Sequence, residues 1–189
     1  MNRLFPFLLL VAACQPAATE QPPLAGARIG GAFSLTDQDG RTVTERSFAG
    51  RYPIVYFGYT FCPDVCPTDM AAIAAGLKQV EKSDPVTAAK VVPVFVTVDP
   101  ARDTPAVLKQ FVGAFHPRAV GLTGRETAIA QVAKEYAVPF SRGKGTADGY
   151  LVEHGRAAYL MGPDGKPIAL AGADGGPAEV ARTIERWVK

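Results

Sequence analysis

Two runs of branched and aromatic residues, Ile54 to Tyr59 and Val91 to Val98, constrain the fold more than anything else in the chain. Each is apolar along its whole length, so each reads as a strand buried on both faces, as parallel sheets require. Between them Met70, Ile73, Ala74, Leu77 and Val80 recur at helical spacing, which gives a helix one apolar stripe to lay on that sheet. Thr104 followed by Pro105 is a cap-and-start pair for a second helix, with Val107, Leu108, Phe111, Val112 and Phe115 as its apolar positions. A short strand, Ala119 to Leu122, and a helix from about Arg125 to Tyr136 continue the alternation. Strand, helix, strand, helix implies right-handed crossovers and an α/β protein.

The first strand passes to the first helix through GYTFCPDVCPTDM, Gly58 to Met70. That junction is the crevice in which open α/β sheets place their ligands. Cys62 and Cys66 are four residues apart, so on a helical turn they face the same way. They are then close enough to share one metal ion or one disulfide. Proline is accepted at the start of a helix and disruptive inside it, so Pro67 predicts that the regular helix starts at residue 67. Cys66 then falls near the N-cap, where free amides and the helix dipole favour a thiolate. Both thiols are expected to be reactive or metal-avid. Spacing alone would fit a structural disulfide or two buried small side chains equally well; the strand end, the two prolines and the helix start favour a working site.

The flanks complete the pattern. Phe33 to Val43 alternates around Asp39-Gly40, a hairpin signal ahead of the main fold. Ser141 to Gly149 (SRGKGTADG) is a polar, glycine-rich surface loop, of the kind that often carries function. It leads into YLVEHGRAAYLM, read as one strand, which turns at Pro163 to Lys166 and returns as Ile168 to Ala171. Pro177 opens a closing helix that ends near Trp187. The β-hairpin, the βαβ unit with cysteines at its first helix and the terminal ββα unit describe a thioredoxin-like fold: a mixed sheet flanked by helices.

The N-terminus stands apart. Met1 to Ala13 holds one basic residue, Arg3, and the run LFPFLLLVAA, too short for a permanent membrane span and suited to an export signal. It ends in VAAC, which resembles a bacterial lipobox. On that resemblance residues 1–13 are a lipoprotein signal peptide, cleaved so that Cys14 becomes the lipidated N-terminus; a plain signal peptide cut nearby is the alternative. Residues 14–28, rich in Pro, Ala, Gln and Gly, read as a disordered tether, and residues 29–189 as one domain. Such a tether would hold the domain up to roughly 45 Å from the bilayer. The expected location is the bacterial cell envelope, on a membrane and facing the periplasm. With Cys14 taken as an anchor, Cys62 and Cys66 are left as a pair in an oxidising compartment. The formal charge of +2, from 20 basic and 18 acidic residues without a basic run, excludes nucleic acid as a partner.

In order along the chain, FGYTFCPDVCPTDM, VTVDPARDTP, GLTG and EHGRAAYLMGPDG resemble the Sco/SenC family of copper-binding proteins that serve cytochrome c oxidase assembly. The resemblance covers roughly residues 29–188. It implies copper held by Cys62, Cys66 and His154, the last at the family's ligand position. Two thiolates and an imidazole suit Cu(I) and can also hold Cu(II), with zinc as the competing metal. Three departures stand out. Glu153 and Gly155 flank the histidine where Asp and Ser are common, and Gly162 stands where an Asp is common. They concern the groups that orient the imidazole, while the ligands themselves are kept. Asp99 and Asp103 match the family's DPxRDTP segment and are expected to lie near the site, to bind partners or to cap the helix at Pro105. His116 sits at a helix end and is expected to be structural.

Two functions follow from the resemblance. One is a copper chaperone delivering to the copper-site subunit of cytochrome c oxidase or another copper protein. The other is a thiol-disulfide oxidoreductase that reduces the cysteines of that site or of other exported proteins. Dedicated oxidoreductases of this fold usually carry CxxC preceded by Trp, whereas here the spacing is CxxxC, Phe61 precedes it and Trp187 is the only tryptophan. A peroxidase would need an activating arginine close to one cysteine, and none is near in sequence.

Overall fold

The computed structural model describes residues 20–145 and 149–189. Two fully buried strands, β3 (Tyr52–Gly58) and β4 (Val91–Thr97), run parallel at the centre of a seven-stranded sheet. β5 (Val120–Thr123) adds to β4 in parallel. The hairpin β1 (Ser34–Asp37) and β2 (Thr42–Thr44) does not stand ahead of the fold; β1 pairs antiparallel with β5 and extends the sheet. On the other side β8 (Ala158–Met161) pairs antiparallel with β3 and then with β9 (Pro167–Leu170). The order β2-β1-β5-β4-β3-β8-β9 is a mixed sheet.

Helices cover the sheet where the apolar spacing places them. α1 (Val65–Ser83) buries Met70, Ile73, Ala74, Leu77 and Val80, the stripe read from the sequence. It crosses α5 (Pro177–Trp187) at Gly76, where an added Cβ would lie 2.6 Å from Val180 and 2.7 Å from the Pro177 carbonyl. Only glycine allows that approach. The short α2 (Pro85–Ala89) follows α1, and α3 (Pro105–Gly113) packs on β5. Thr104 caps α3, its hydroxyl accepting from the Val107 amide. α4 (Glu126–Glu135) carries a buried face of Ile129, Val132 and Ala133. No helix among the described residues is long and apolar enough to cross a membrane.

Four further expectations change. α1 begins at Val65 rather than at residue 67, because the whole first turn lacks intrahelical partners for its amides and so accepts proline at its third position. Ser141 and Arg142 belong to a short strand, β6 (Phe140–Arg142), not to a loop. The run YLVEHGRAAYLM is two strands: β7 (Val152–His154) pairs antiparallel with β6 in a separate ribbon, and β8 belongs to the main sheet. Finally, the expected tether is in part packed on the domain. Leu24 donates its amide to the Ile168 carbonyl at 2.9 Å, Leu24 is partly buried against the core, and Glu20 pairs with Arg186. Cys14 and the expected signal peptide lie outside the described residues.

Candidate metal centre

The end of β3 and the first turn of α1 converge because Gly58 leaves room for them: an added Cβ there would lie 2.7 Å from Cys66 Sγ. Cys66 is fully buried and Cys62, in the turn ahead of the helix, is 9% exposed. The Cys66 amide donates to Cys62 Sγ at 3.5 Å. Both cysteines are free thiols. Burial pushes the Cys66 thiol well above its ordinary value, which reverses the expectation that the helix N-terminus favours its thiolate in the metal-free protein.

His154 enters from the β6–β7 ribbon. Its Nδ1 lies 3.0 Å from the Gly155 carbonyl, which can only accept, so Nδ1 carries a proton, and in the neutral ring that tautomer puts the lone pair on Nε2. That lone pair points into the site, where the Cys66 thiol donates to it at 3.1 Å. Tyr56 and Tyr59 hold the ring edge-to-face, at centroid distances of 6.2 and 5.9 Å. The ligand atoms of Cys62, Cys66 and His154 all lie within 4.8 Å of one another and could hold a metal ion. The group that meets Nδ1 and selects the tautomer is thus a backbone carbonyl, which does not depend on the side chains at 153 and 155. Glu153 points away from the site and is in reach of Ser141 at 3.5 Å.

Three buried carboxylates, Asp69, Asp99 and Asp103, tie together the segments that flank the triad. Asp103 accepts from the Thr60 amide at 3.0 Å and from the Thr60 and Thr97 hydroxyls at 2.6 Å each, which ties the cysteine turn to β4. Burial raises its pKa. Asp99 accepts from the Tyr150 hydroxyl at 2.7 Å and from Arg102, whose guanidinium stacks 3.7 Å from the Tyr150 ring centroid and 4.9 Å from that of Phe61. Neither carboxylate caps α3. Asp69 accepts from Tyr56 at 2.9 Å and, in a two-pronged pair, from Arg156 at 2.8 and 3.1 Å.

Asp69, Tyr56, Arg156 and Arg102 were not singled out in the sequence. Asp69 could have been: it sits three residues after Cys66, in the same buried stripe as Ile73, where a carboxylate needs a partner. His116 lies elsewhere, as expected. It accepts the Arg118 amide on Nδ1 at 3.2 Å and meets Glu81 through Nε2 at 3.3 Å, joining the ends of α1 and α3.

The profile of the SCO1/SenC family matches residues 21–189. The chain belongs to this family. Among SCO1/SenC relatives, the protein SCO1 homolog 1, mitochondrial, of Arabidopsis thaliana is 41% identical over 148 residues, 78% of this chain and 43% of that protein. The chain spans between 43% and 60% of the length of four eukaryotic relatives. Bradyrhizobium japonicum ScoI, solved with copper bound, superposes with a TM-score of 0.76 at 38% identity, covering 84% of this chain and 99% of that one. Arabidopsis thaliana ScoI with copper bound gives 0.78 at 36%, covering 84% and 97%. A SCO1/SenC lipoprotein of Bacillus anthracis gives 0.70 at 26%, covering 91% and 100%. A thioredoxin domain of a Bacteroides vulgatus thiol-disulfide oxidoreductase, at 17% identity and 0.58, shares the fold alone. The fold is thioredoxin-like.

Proposed function

We propose that this chain is a copper-binding assembly protein: Cys62, Cys66 and His154 hold one copper ion, which is handed to the copper centre of cytochrome c oxidase or of another copper protein. The observation that carries this is the convergence of two sulfurs and one imidazole nitrogen within 4.8 Å. Soft thiolates select Cu(I), and the nitrogen extends the set to Cu(II). Three donors leave a coordination position open, so an acceptor's ligand can bind before the protein's ligands let go. Phe61, the neighbour of Cys62, is 53% exposed, and Leu151 is 59% exposed. These two apolar side chains near the site suit contact with a partner. Copper-bound structures of relatives with the same fold support the choice of metal.

The envelope setting is part of the same proposal. The VAAC string at Cys14 and a lipoprotein among the relatives support a lipid-anchored, periplasm-facing form. Metal analysis of the purified, reduced chain is the direct test. About one copper per chain is expected, and a Cys62→Ser, Cys66→Ser variant should take up none. Equal uptake by that variant would refute the site.

A second reading, thiol-disulfide oxidoreductase, is favoured by the two free thiols lying side by side at a helix start. Cys62 and Cys66 would become a disulfide, and their two electrons and two protons would convert a partner disulfide to two thiols. That exchange has no use for His154 as a donor. His154→Ala therefore separates the readings.

A further inference from the structure

Cys62 and Cys66 follow directly from the end of β3, whereas His154 comes from the separate β6–β7 ribbon. Among the described residues β7 pairs with β6 alone, and this ribbon lies outside the seven-stranded sheet, so there no strand ladder fixes the ring relative to the cysteines. A closed circuit of side chains does so instead. Two residues after His154, Arg156 forks onto Asp69 at 2.8 and 3.1 Å. Asp69 lies on α1 three residues after Cys66 and is 0% exposed. Its Oδ2 also accepts from Tyr56 at 2.9 Å, and the Tyr56 ring meets the His154 ring at an interplanar angle of 89°. The circuit therefore runs from the histidine strand to the cysteine helix and back to the imidazole.

We propose that the Asp69–Arg156 pair is the positioning device that sets the His154 ring against Cys62 and Cys66. It rests on the reading of those three residues as the copper ligands. A planar guanidinium forked onto a carboxylate fixes direction as well as distance, which a single hydrogen bond or a lysine does not. The pair fixes the backbone at residue 156, and through it the reach of the imidazole two residues earlier. Copper bound by the two sulfurs alone needs none of this. The device therefore acts on the nitrogen ligand and on the oxidation state that depends on it.

Arg156→Met removes the fork and keeps most of the side-chain volume. Asp69→Asn with Arg156→Met removes it without leaving a buried carboxylate unpaired. The purified full chain is loaded with Cu(II) and read by the nitrogen splitting in its electron paramagnetic resonance spectrum. Affinity for Cu(I) is read by competition with a chromophoric chelator, and metal-free melting curves report the fold. Both variants should lose or broaden the nitrogen splitting and bind Cu(II) about 10 to 100-fold more weakly, the range of groups that orient metal ligands. Their Cu(I) affinity should change far less. Arg182→Met, which removes an exposed ion pair with Glu179, should change neither.

An unaltered nitrogen signal in either folded variant overturns the proposal while leaving the copper site standing, provided His154→Ala does abolish that signal. If His154→Ala leaves it intact, the ligand reading itself fails and the positioning role with it. Collapse of the metal-free melting curve in both variants would make the pair a fold determinant and also overturn the positioning role.

Discussion

Replacing Gly58 by Ala tests how tightly the fold dictates where Cys66 puts its sulfur. The new methyl carbon would sit 2.7 Å from Cys66 Sγ, 3.0 Å from Phe95 and 3.1 Å from Tyr56. All three neighbours are fully buried, so none can swing into solvent. The sulfur must retreat by about 1 Å to restore an ordinary contact of about 3.5–4.0 Å. Overpacking of this kind costs roughly 1–3 kcal/mol. The ordinary preference for Ala over Gly inside a strand returns about 0.5–1 kcal/mol. Mid-range values leave a net loss of about 1 kcal/mol, which should lower the melting temperature of the reduced, metal-free protein by roughly 2–4 °C. Because the displaced atom is a proposed ligand and sits 3.1 Å from His154 Nε2, copper affinity should fall as well. Gly113→Ala is the contrast: Gly113 ends α3 with nothing within 4 Å of an added Cβ. It should leave copper binding unchanged and raise stability by up to about 1 kcal/mol. Thermal melts and Cu(I) competition read both. A Gly58→Ala protein with unchanged melting and unchanged copper affinity would refute the claim that the strand end sets the sulfur's position.

His154→Ala should lose copper affinity, most for Cu(II), while Cys62 and Cys66 still oxidise and reduce; normal copper binding with failed reduction of a partner disulfide would put the redox reading first. Burial holds the His116 pKa below its ordinary value, so the folded protein favours the neutral ring. The stability it contributes is complete above the unfolded pKa of about 6.5 and declines as pH falls below it, by at most about 1.4 kcal/mol per pH unit. His116→Asn should flatten that part of the stability curve and leave copper binding intact, and an equal slope in melts from pH 7 to 5 would contradict the assignment. Replacing Cys14 by Ser should release the protein from membranes or stop its processing, as read by fractionation and the mass of the mature chain; unchanged membrane association and processing would exclude the lipid anchor.

What could be read from the sequence was whatever a short window decides. β3 and β4 announce themselves because every residue of each is buried, so the apolar run is unbroken. The cap at Thr104 and the stripe of α1 are likewise local. The split of YLVEHGRAAYLM into β7 and β8 is not, because Gly155-Arg156-Ala157 contains no proline and no turn dipeptide. The chain leaves the strand there because Gly155 donates to the Pro139 carbonyl and Arg156 reaches Asp69, partners 16 and 87 residues away. β6 was hidden for the same reason: three residues beside a glycine-rich stretch become a strand only when β7 lies against them. Asp99 and Asp103 illustrate the limit at the site. Their place near the cysteine turn was within reach of the motif, but that one holds Tyr150 and the other Thr60 depends on loops brought together by the sheet.

The candidate centre is asymmetric, and the asymmetry orders any exchange at it. Cys66 is enclosed by the Gly58 backbone, Tyr56 and the first turn of α1, with no exposed surface. Cys62 is slightly exposed and His154 is half-buried on its separate ribbon. On the proposed ligand set, an incoming thiolate or imidazole would meet the Cys62 and His154 side of a bound metal, and Cys66 would be the donor it reaches last. In a disulfide exchange the same enclosure makes Cys62 the sulfur that a partner can touch, with Cys66 left to close the intramolecular bond. The two proposed activities, copper transfer and thiol exchange, would thus share an entrance at Cys62. They differ in whether the ribbon carrying His154 has to keep its place.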